Sequence, residues 1–118
     1  MFNNFFGGNS RELPYTEITP QQADQKRQSS EQVVVVDVRE PYEYSEGHIP
    51  GSKLAPLGQL TQHLNELGTK EQELIVVCRS GGRSSQAARQ LASLGYKKIS
   101  NLSGGMMAWM RAGLPSER

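Results

Sequence analysis

A chain of 118 residues is the right size for one domain and can bury a single hydrophobic core without a metal ion or a disulfide. Hydrophobic residues make up 36% of the chain and charged residues 21%, which is typical of a folded globular protein and excludes a disordered one. The formal net charge is +1, so the chain as a whole has no field that would attract nucleic acid or an anionic membrane. Any preference for anions must therefore be local.

The chain has one cysteine, Cys78, which excludes an internal disulfide and any dithiol mechanism within a single chain. Cys78, His48 and His63 lack the spacing of metal ligands, so we expect no metal and no cofactor. No run approaches the roughly 20 apolar residues of a membrane span, and residues 1–8 have neither the basic nor the apolar region of a signal peptide. We therefore expect a cytoplasmic monomer that binds neither membrane nor nucleic acid.

The predicted elements begin after a tail. Residues 1–13 are polar and lack periodicity, which predicts a mobile tail, and residues 14–118 are predicted to form the folded domain. A short edge strand is expected over 15–18. A helix then starts at Pro20, with Thr19 as its cap and a capping box closed by Gln22, and is predicted to run to about residue 28.

Residues 33–38 are five β-branched valines and Asp37, without alternation of polar and apolar side chains, which is typical of a strand covered on both faces. A short helix that starts at Pro41 and ends at Gly47 is followed by a turn-rich connector and a brief third strand over 53–55. Four leucines then recur at helical spacing before Gly68: Leu57, Leu60, Leu64 and Leu67.

Residues 74–77 are predicted to form a second buried strand and residues 98–102 the last strand. The helix between them should bury one face, made of Ala87, Ala88, Leu91 and Leu94. The final helix should line one face with Met106, Trp109 and Met110. Strands alternate with helices throughout, which predicts an α/β fold with a parallel sheet and helices on both faces. Ligands bind at the carboxyl ends of such strands, so we expect Asp37 and Cys78 to face the same crevice.

The loop after Cys78 has the composition of an anion cradle. Residues 79–84 read Arg-Ser-Gly-Gly-Arg-Ser and lead directly into a helix, whose N-terminus is positive. The two glycines allow turns that point backbone N–H groups inward, and Arg79 and Arg83 add permanent positive charge. All of these features should lower the pKa of the thiol and stabilise a sulfur atom bound to it.

An inert reading of Cys78 competes with this interpretation. A lone cysteine at the end of an apolar strand is more often a small core residue than a nucleophile. The loop and the helix that follow at once favour the nucleophile. The interpretation therefore depends on the residues after the cysteine and not on the cysteine alone.

Several separate segments of the sequence resemble the motifs of one known family. Residues 78–84 resemble the active-site loop of the single-domain rhodaneses, which are thiosulfate sulfurtransferases. Residues 36–44 together with 47–52 resemble the family's N-terminal signature, residues 101–109 resemble its C-terminal signature, and residues 113–115 resemble its usual ending. Separate motifs in the right order are far more specific than any one of them.

The resemblance implies a five-stranded parallel sheet flanked by helices and a ping-pong cycle, in which a donor such as thiosulfate loads sulfur onto a cysteine and cyanide, a thiol or an acceptor protein removes it. It places the nucleophile at Cys78 and the anion cradle at Arg79, Ser80, Gly81, Gly82, Arg83 and Ser84. Asp37 and Arg39 match the signature; they either brace the active site or form an ordinary ion pair at a strand end. His48 and Trp109 are interpreted as structural, and His63 as exposed on its helix.

Two alternatives stay open at this stage. The cell-cycle dual-specificity phosphatases share the implied fold, but their loop has five residues between cysteine and arginine, whereas four separate Cys78 from Arg83. The shorter loop suits a sulfur atom better than a phosphate, and arsenate reduction has less support still. The second alternative is a non-catalytic module, either a sulfur carrier that needs a partner to remove the sulfur or a domain that binds a partner protein.

Overall fold

The computed structural model describes residues 12–29 and 32–118, so all but the end of the predicted tail lies outside the described residues. The helices and strands follow in alternation along the chain: β1 (Thr16–Ile18), α1 (Pro20–Ser29), β2 (Val33–Asp37), α2 (Pro41–Glu46), β3 (Lys53–Leu54), a 3₁₀ helix (Leu57–Glu66), β4 (Glu73–Val77), α3 (Gly82–Ser93), β5 (Lys98–Leu102) and α4 (Gly105–Arg111). None of the described helices is long and apolar enough to cross a membrane.

The five strands form one parallel sheet in the order β1-β5-β4-β2-β3. This confirms the predicted α/β fold and its five-stranded parallel sheet. Asp37, the last residue of β2, pairs in register with Val77, the last residue of β4. The next two residues, Val38 and Cys78, therefore leave the sheet side by side, and the Val38 N–H donates to the Val77 carbonyl at 2.9 Å.

Both faces of the sheet are buried, because side chains of β2 and β4 alternate between two core clusters. The first cluster packs the sheet against α3 and the 3₁₀ helix and includes Val36, Leu74, Val76, Cys78, Ala87, Ala88, Leu91, Leu60 and Leu67. The second packs the sheet against α1 and α4 and includes Val35, Ile75, Val77, Ala23, Met106 and Trp109. The continuous β-branched run of β2 is explained by this double coverage.

The predicted start of α1 is confirmed by its hydrogen bonds. The Thr19 hydroxyl accepts from the Gln22 N–H at 3.1 Å, and the Gln22 side-chain oxygen accepts from the Thr19 N–H at 2.8 Å. This reciprocal pair is the capping box that the sequence predicts. The first turn of the helix therefore has partners for its otherwise free N–H groups.

Several local predictions are wrong in detail. The leucine-rich helix is a 3₁₀ helix with a break at Gln59, consistent with the three-residue spacing of its leucines at either end. Leu94 is 36% exposed because α3 has ended one residue earlier, and Met110 is 59% exposed at the rim of a pocket between α2 and α4. The third strand ends at Leu54, one residue earlier than predicted.

Candidate active site

Cys78 lies where the sequence places it, at the carboxyl end of β4 in the middle of the sheet. The chain turns over residues 79–81, and α3 begins at Gly82, one residue before the earliest predicted start. Gly81 has φ of +113°, a left-handed conformation that only glycine adopts at little cost. The loop therefore joins strand to helix in very few residues and keeps its backbone close to the cysteine.

Two hydrogen-bond donors converge on the sulfur atom of Cys78. The Gly81 N–H donates to Sγ at 3.0 Å, and the Ser84 hydroxyl donates to Sγ at 3.3 Å. The Ser84 side chain is fully buried, so this hydroxyl is held in place by its surroundings. The loop and the first turn of α3 thus form a cradle around one sulfur atom.

The cradle changes the acidity of the thiol. Burial opposes ionisation, but hydrogen bonds from the Ser84 hydroxyl and from the backbone of Ser84, Gly81 and Ser80 outweigh it, so the pKa of Cys78 lies below its ordinary value. The direction agrees with the sequence-based expectation. Because these donors stabilise the charged form directly, most of the effect comes from fixed dipoles next to the sulfur and not from a paired cation.

Arg83 is held by a partner that the sequence did not reveal. Its guanidinium donates two hydrogen bonds to the Glu43 carboxylate, at 2.7 and 2.9 Å. The hydrogen bonds from Arg83 lower the pKa of Glu43 to about 2, and the same pairing raises the pKa of Arg83. Arg83 still lies within electrostatic reach of Cys78, but its hydrogen bonds tie α3 to α2.

Two further residues of the predicted cradle, Arg79 and Gly82, lack contacts of the kind that hold Arg83. The Arg79 side chain is exposed and forms no ion pair with any residue in the described ranges 12–29 and 32–118. Gly82 has no described neighbour within 4 Å of the position where a Cβ would lie. Arg79 is therefore a cation at this site with its hydrogen-bonding groups uncommitted.

Asp37 and Arg39 form a buried ion pair with several contacts. The Arg39 guanidinium donates to both oxygens of the Asp37 carboxylate at 2.8 to 3.1 Å, and it also donates to the Gly47 carbonyl at 2.8 Å. The pair thus links the end of β2 to the end of α2. Neither Asp37 nor Cys78 lines the pocket beside the loop; Arg39, two residues after Asp37, and Arg79, the residue after Cys78, do.

The N-terminus of α4 holds the backbone of the cysteine from the other side. The Met106 N–H donates to the Cys78 carbonyl at 2.8 Å, and the Met107 N–H donates to the Arg79 carbonyl at 3.0 Å. Gly105, with φ of +58°, allows this close approach: a Cβ there would lie 2.5 Å from the carbonyl carbon and oxygen of Arg79. The glycine pair of the C-terminal signature therefore has a structural purpose that the sequence alone did not indicate.

A second contact that the sequence did not reveal reaches the loop from β5. The Asn101 side-chain amide donates to the Glu17 carboxylate at 3.0 Å and to the Gly81 carbonyl at 3.5 Å. The Ser103 hydroxyl also donates to Glu17, at 2.6 Å. The residue that provides the N–H to the sulfur is thus held on its carbonyl side as well.

The remaining single-residue interpretations are consistent with structural roles. His48 is buried, stacks on Tyr44 at 3.7 Å between ring centroids and lies away from the cradle. His63, which was predicted to be exposed on its helix, is instead half-buried, and it contacts the Glu66 carboxylate at 3.1 Å. Trp109 is fully buried, and its indole N–H donates to the Pro115 carbonyl at 2.8 Å.

The comparisons with known proteins agree with this geometry. Residues 19–112 match the model of the Rhodanese-like domain. A protein of Ectopseudomonas mendocina named Thiosulfate sulfurtransferase GlpE is 38% identical over 103 residues, which cover 87% of this chain and 91% of that protein. The chain therefore belongs to the Rhodanese-like domain family.

Two further comparisons show how widely this domain is used. A Bacillus subtilis protein named "Putative sulfur carrier protein YrkF" is 40% identical over 101 residues, which cover 86% of this chain but only 53% of that protein. The solved structure of a rhodanese-related protein from Thermoplasma volcanium matches with a TM-score of 0.77 and 29% identity, over 87% of this chain and 98% of that one. The domain thus occurs both alone and as part of longer chains.

Proposed function

We propose that this chain is a sulfurtransferase that carries sulfur as a persulfide on Cys78, with thiosulfate as donor and cyanide or a thiol as acceptor. The observation that carries the proposal is the pair of donors on one sulfur atom, the Gly81 N–H at 3.0 Å and the Ser84 hydroxyl at 3.3 Å. These donors favour the thiolate, which is the nucleophilic form of cysteine. Membership of the family supports sulfur transfer in general, and the relative from Ectopseudomonas mendocina supports thiosulfate as the donor.

In the first half-reaction the Cys78 thiolate attacks the outer sulfur atom of thiosulfate. A bond forms between Sγ and that sulfur, the S–S bond of thiosulfate breaks, and sulfite leaves with the electron pair. The terminal sulfur of the resulting persulfide is anionic. In this proposal the Gly81 N–H and its neighbours on the loop stabilise this charge, because donors that are held in place before the reaction lower its barrier.

In the second half-reaction cyanide or a thiolate attacks the terminal sulfur of the persulfide. The new bond to sulfur forms, the bond to Sγ breaks, and its electron pair returns to the Cys78 thiolate. Thiocyanate or a new persulfide leaves. Electron pairs move only among the donor, Cys78 and the acceptor, so the cycle requires no redox cofactor.

The arginines near Cys78 have different roles in this proposal. Arg79, exposed and without an ion-pair partner in the described part of the chain, attracts the donor anion. Arg83, held by Glu43, fixes the first turn of α3 and adds a background positive charge. The buried pair of Asp37 and Arg39 braces the neighbouring strand end.

The same geometry argues against a phosphatase. A phosphate ester needs a loop wide enough for its oxygens and an arginine free to bind them. Only four residues separate Cys78 from Arg83, and that arginine is already committed to a carboxylate. Ser84 occupies the position at which the phosphatases have their arginine, and its hydroxyl donates a hydrogen bond to the Sγ of Cys78.

A sulfur carrier is the second candidate, favoured by the likeness to the Bacillus subtilis protein. A carrier would load sulfur on Cys78 by the same chemistry and release it only to a partner protein. The cradle serves both functions equally, because it stabilises the persulfide and does not choose the acceptor. A cytoplasmic location and a monomeric state remain predictions.

Intact mass measurement tests the proposal directly. Thiosulfate should leave the wild-type chain one sulfur atom heavier, and cyanide should then restore the original mass and release thiocyanate. The variant Cys78→Ser should do neither, and turnover in that variant would refute the mechanism. Loading without release to cyanide or small thiols would favour the carrier, and rapid hydrolysis of an aryl phosphate without loading would favour the phosphatase.

A further inference from the structure

The chemistry described so far uses only Arg79 of the residues that line a pocket beside the active-site loop as a contact for a substrate. This pocket has a volume of about 220 Å³ and lies between α2 and α4, next to the loop. Charged and apolar groups both line it, among them Arg79, Glu46, Met106, Met107 and Met110. Drug-sized ligands occupy pockets of about 300 Å³ or more, so this pocket fits a molecule of about amino-acid size.

The charges in the pocket fall into two groups. Arg39 and Glu43 also line it, but both are committed, Arg39 to Asp37 at 2.8 Å and Glu43 to Arg83 at 2.7 Å. Arg79 and Glu46 are exposed and have no ion pair or side-chain hydrogen bond within residues 12–29 and 32–118. The pocket therefore presents one uncommitted cation and one uncommitted anion.

These two charges do not neutralise each other. An ion pair requires a nitrogen and an oxygen within 4.0 Å, and Arg79 and Glu46 form none. A guanidinium binds a carboxylate through two parallel hydrogen bonds, whereas a carboxylate accepts from an ammonium group. A ligand that bears both groups would satisfy both side chains, and a ligand with a single charge would leave one of them unpaired.

The apolar wall indicates what lies between the charged groups of the ligand. Met106 is 3% exposed and forms the buried part of the wall, whereas Met107 and Met110 are 43% and 59% exposed. Methionine side chains are flexible and polarizable, so they adapt to apolar groups of irregular shape. A short aliphatic chain that ends in a thiol fits this wall.

We propose that this pocket binds the acceptor, and that the acceptor is a small zwitterionic thiol of the amino-acid type. Its carboxylate binds Arg79, its ammonium group binds Glu46, and its methylene group contacts Met107 and Met110. This inference rests on the proposed persulfide at Cys78. The acceptor thiolate attacks the terminal sulfur, the bond to Sγ breaks with its electrons returning to Sγ, and the acceptor leaves as a persulfide.

The pocket adjoins the segment of the chain that carries the nucleophile. Arg79 follows Cys78 in the chain, and the Met106 and Met107 N–H groups donate to the carbonyls of those two residues at 2.8 and 3.0 Å. Cys78 itself is 1% exposed, so little of its sulfur atom is open to an acceptor of any size. A slim acceptor held at the edge of the loop meets the persulfide, whose terminal sulfur extends beyond Sγ.

The test uses four thiols that differ in their charged groups: L-cysteine, 3-mercaptopropionate without the ammonium, cysteamine without the carboxylate, and 2-mercaptoethanol with neither. Each reacts with full-length protein already loaded with sulfur, so that loading does not enter the measurement. Ratios between variant and wild type cancel the intrinsic reactivity of each thiol. In Glu46→Gln, the rate ratio of L-cysteine to 3-mercaptopropionate should fall about tenfold, the size expected for losing a hydrogen bond to a charged group.

Removing the positive charge of Arg79 should weaken recognition of the carboxylate in the same way. In Arg79→Gln, the ratio of L-cysteine to cysteamine should fall by a similar factor, about tenfold. Glu71→Gln is the matched control, because Glu71 is an exposed carboxylate that does not line the pocket, and every ratio should stay at the wild-type value. Unchanged ratios in both pocket variants would overturn the inference, as would equal reaction of a peptide cysteine with blocked termini. Failure to load sulfur at all would instead refute the proposed function.

Discussion

Replacing Gly105 with alanine should show how strongly the cysteine depends on α4. A Cβ at this position would lie 2.5 Å from the carbonyl carbon and oxygen of Arg79 and would also press on the Cys78 carbonyl oxygen. These are backbone atoms, which cannot swing aside as a long side chain does. Either α4 moves away from the loop, or the two successive peptide groups that carry the Cys78 and Arg79 carbonyls rotate, and both responses break the hydrogen bonds from Met106 and Met107.

The magnitude follows from two contributions. Holding alanine at φ of +58° costs about 1 kcal/mol, because its Cβ crowds the backbone in the left-handed region. Two backbone hydrogen bonds are worth about 1 kcal/mol each, so their loss brings the total to roughly 3 kcal/mol. A change of 1 kcal/mol moves the melting temperature of a domain this size by about 4 °C, so Gly105→Ala should lower it by about 12 °C.

Gly113→Ala is a matched control for the backbone cost alone. Gly113 has φ of +75°, and nothing lies within 4 Å of its Cβ position. This variant should lose only about 1 kcal/mol. Thermal unfolding followed by circular dichroism measures both variants, and the rate of alkylation of Cys78 reports whether the loop has moved. Equal losses of stability in the two variants, with unchanged alkylation, would refute the reasoning.

Two further predictions concern ionisation. Ser84→Ala removes the hydroxyl that donates to Sγ, so it should raise the pKa of Cys78 and slow alkylation severalfold near neutral pH, which the pH dependence of alkylation measures. Glu43→Gln removes the partner of Arg83; because the folded-state pKa of Glu43 is about 2, below its ordinary 4.5, its stabilisation is complete above pH 4.5 and is lost as the pH falls towards 2. Urea unfolding at a series of pH values should show this loss in the wild type and a shallower one in the variant.

Each of these predictions has a control on the same helix. Ser85→Ala removes an exposed hydroxyl that donates to the Gly82 carbonyl at 2.8 Å, and it should leave the alkylation profile of Cys78 in place. Glu46→Gln removes an exposed carboxylate on α2 that has no ion-pair partner within the described ranges, so its acid profile should follow the wild type. A shifted profile for Ser85→Ala, or identical acid profiles for wild type and Glu43→Gln, would contradict the reasoning.

Sequence patterns predicted the elements well where one residue type decides the local structure. The β-branched run of β2 and the Thr19 capping box needed only neighbouring residues, and both are as expected. The position of Cys78 followed from strand order, because the carboxyl ends of parallel strands meet at one edge. The spacing of the leucines predicts a helix over this segment but does not decide between an α-helix and the 3₁₀ helix that is observed, since leucines three residues apart fit either.

The contacts that support the cysteine could not be predicted in the same way. Glu43 and Arg83 lie 40 residues apart, and many acidic residues could have been the partner of that arginine. The contact of Asn101 with Gly81 requires β5 to lie beside β4, which no local pattern specifies. Charge and hydrogen-bonding capacity are visible in a sequence, but the choice of partner is made by the tertiary fold.

The lengths of the edge strands have a consequence for colloidal behaviour. β1 has three residues and β3 has two, so among residues 12–29 and 32–118 the sheet ends on both sides with few unpaired backbone groups. The valine-rich segment of β2, which would stack readily with copies of itself if exposed, lies inside these short edges. Short edge strands offer few free N–H and C=O groups with which a strand of another molecule could pair. The β2 segment, which is prone to aggregate, is therefore shielded from intermolecular pairing in the folded chain.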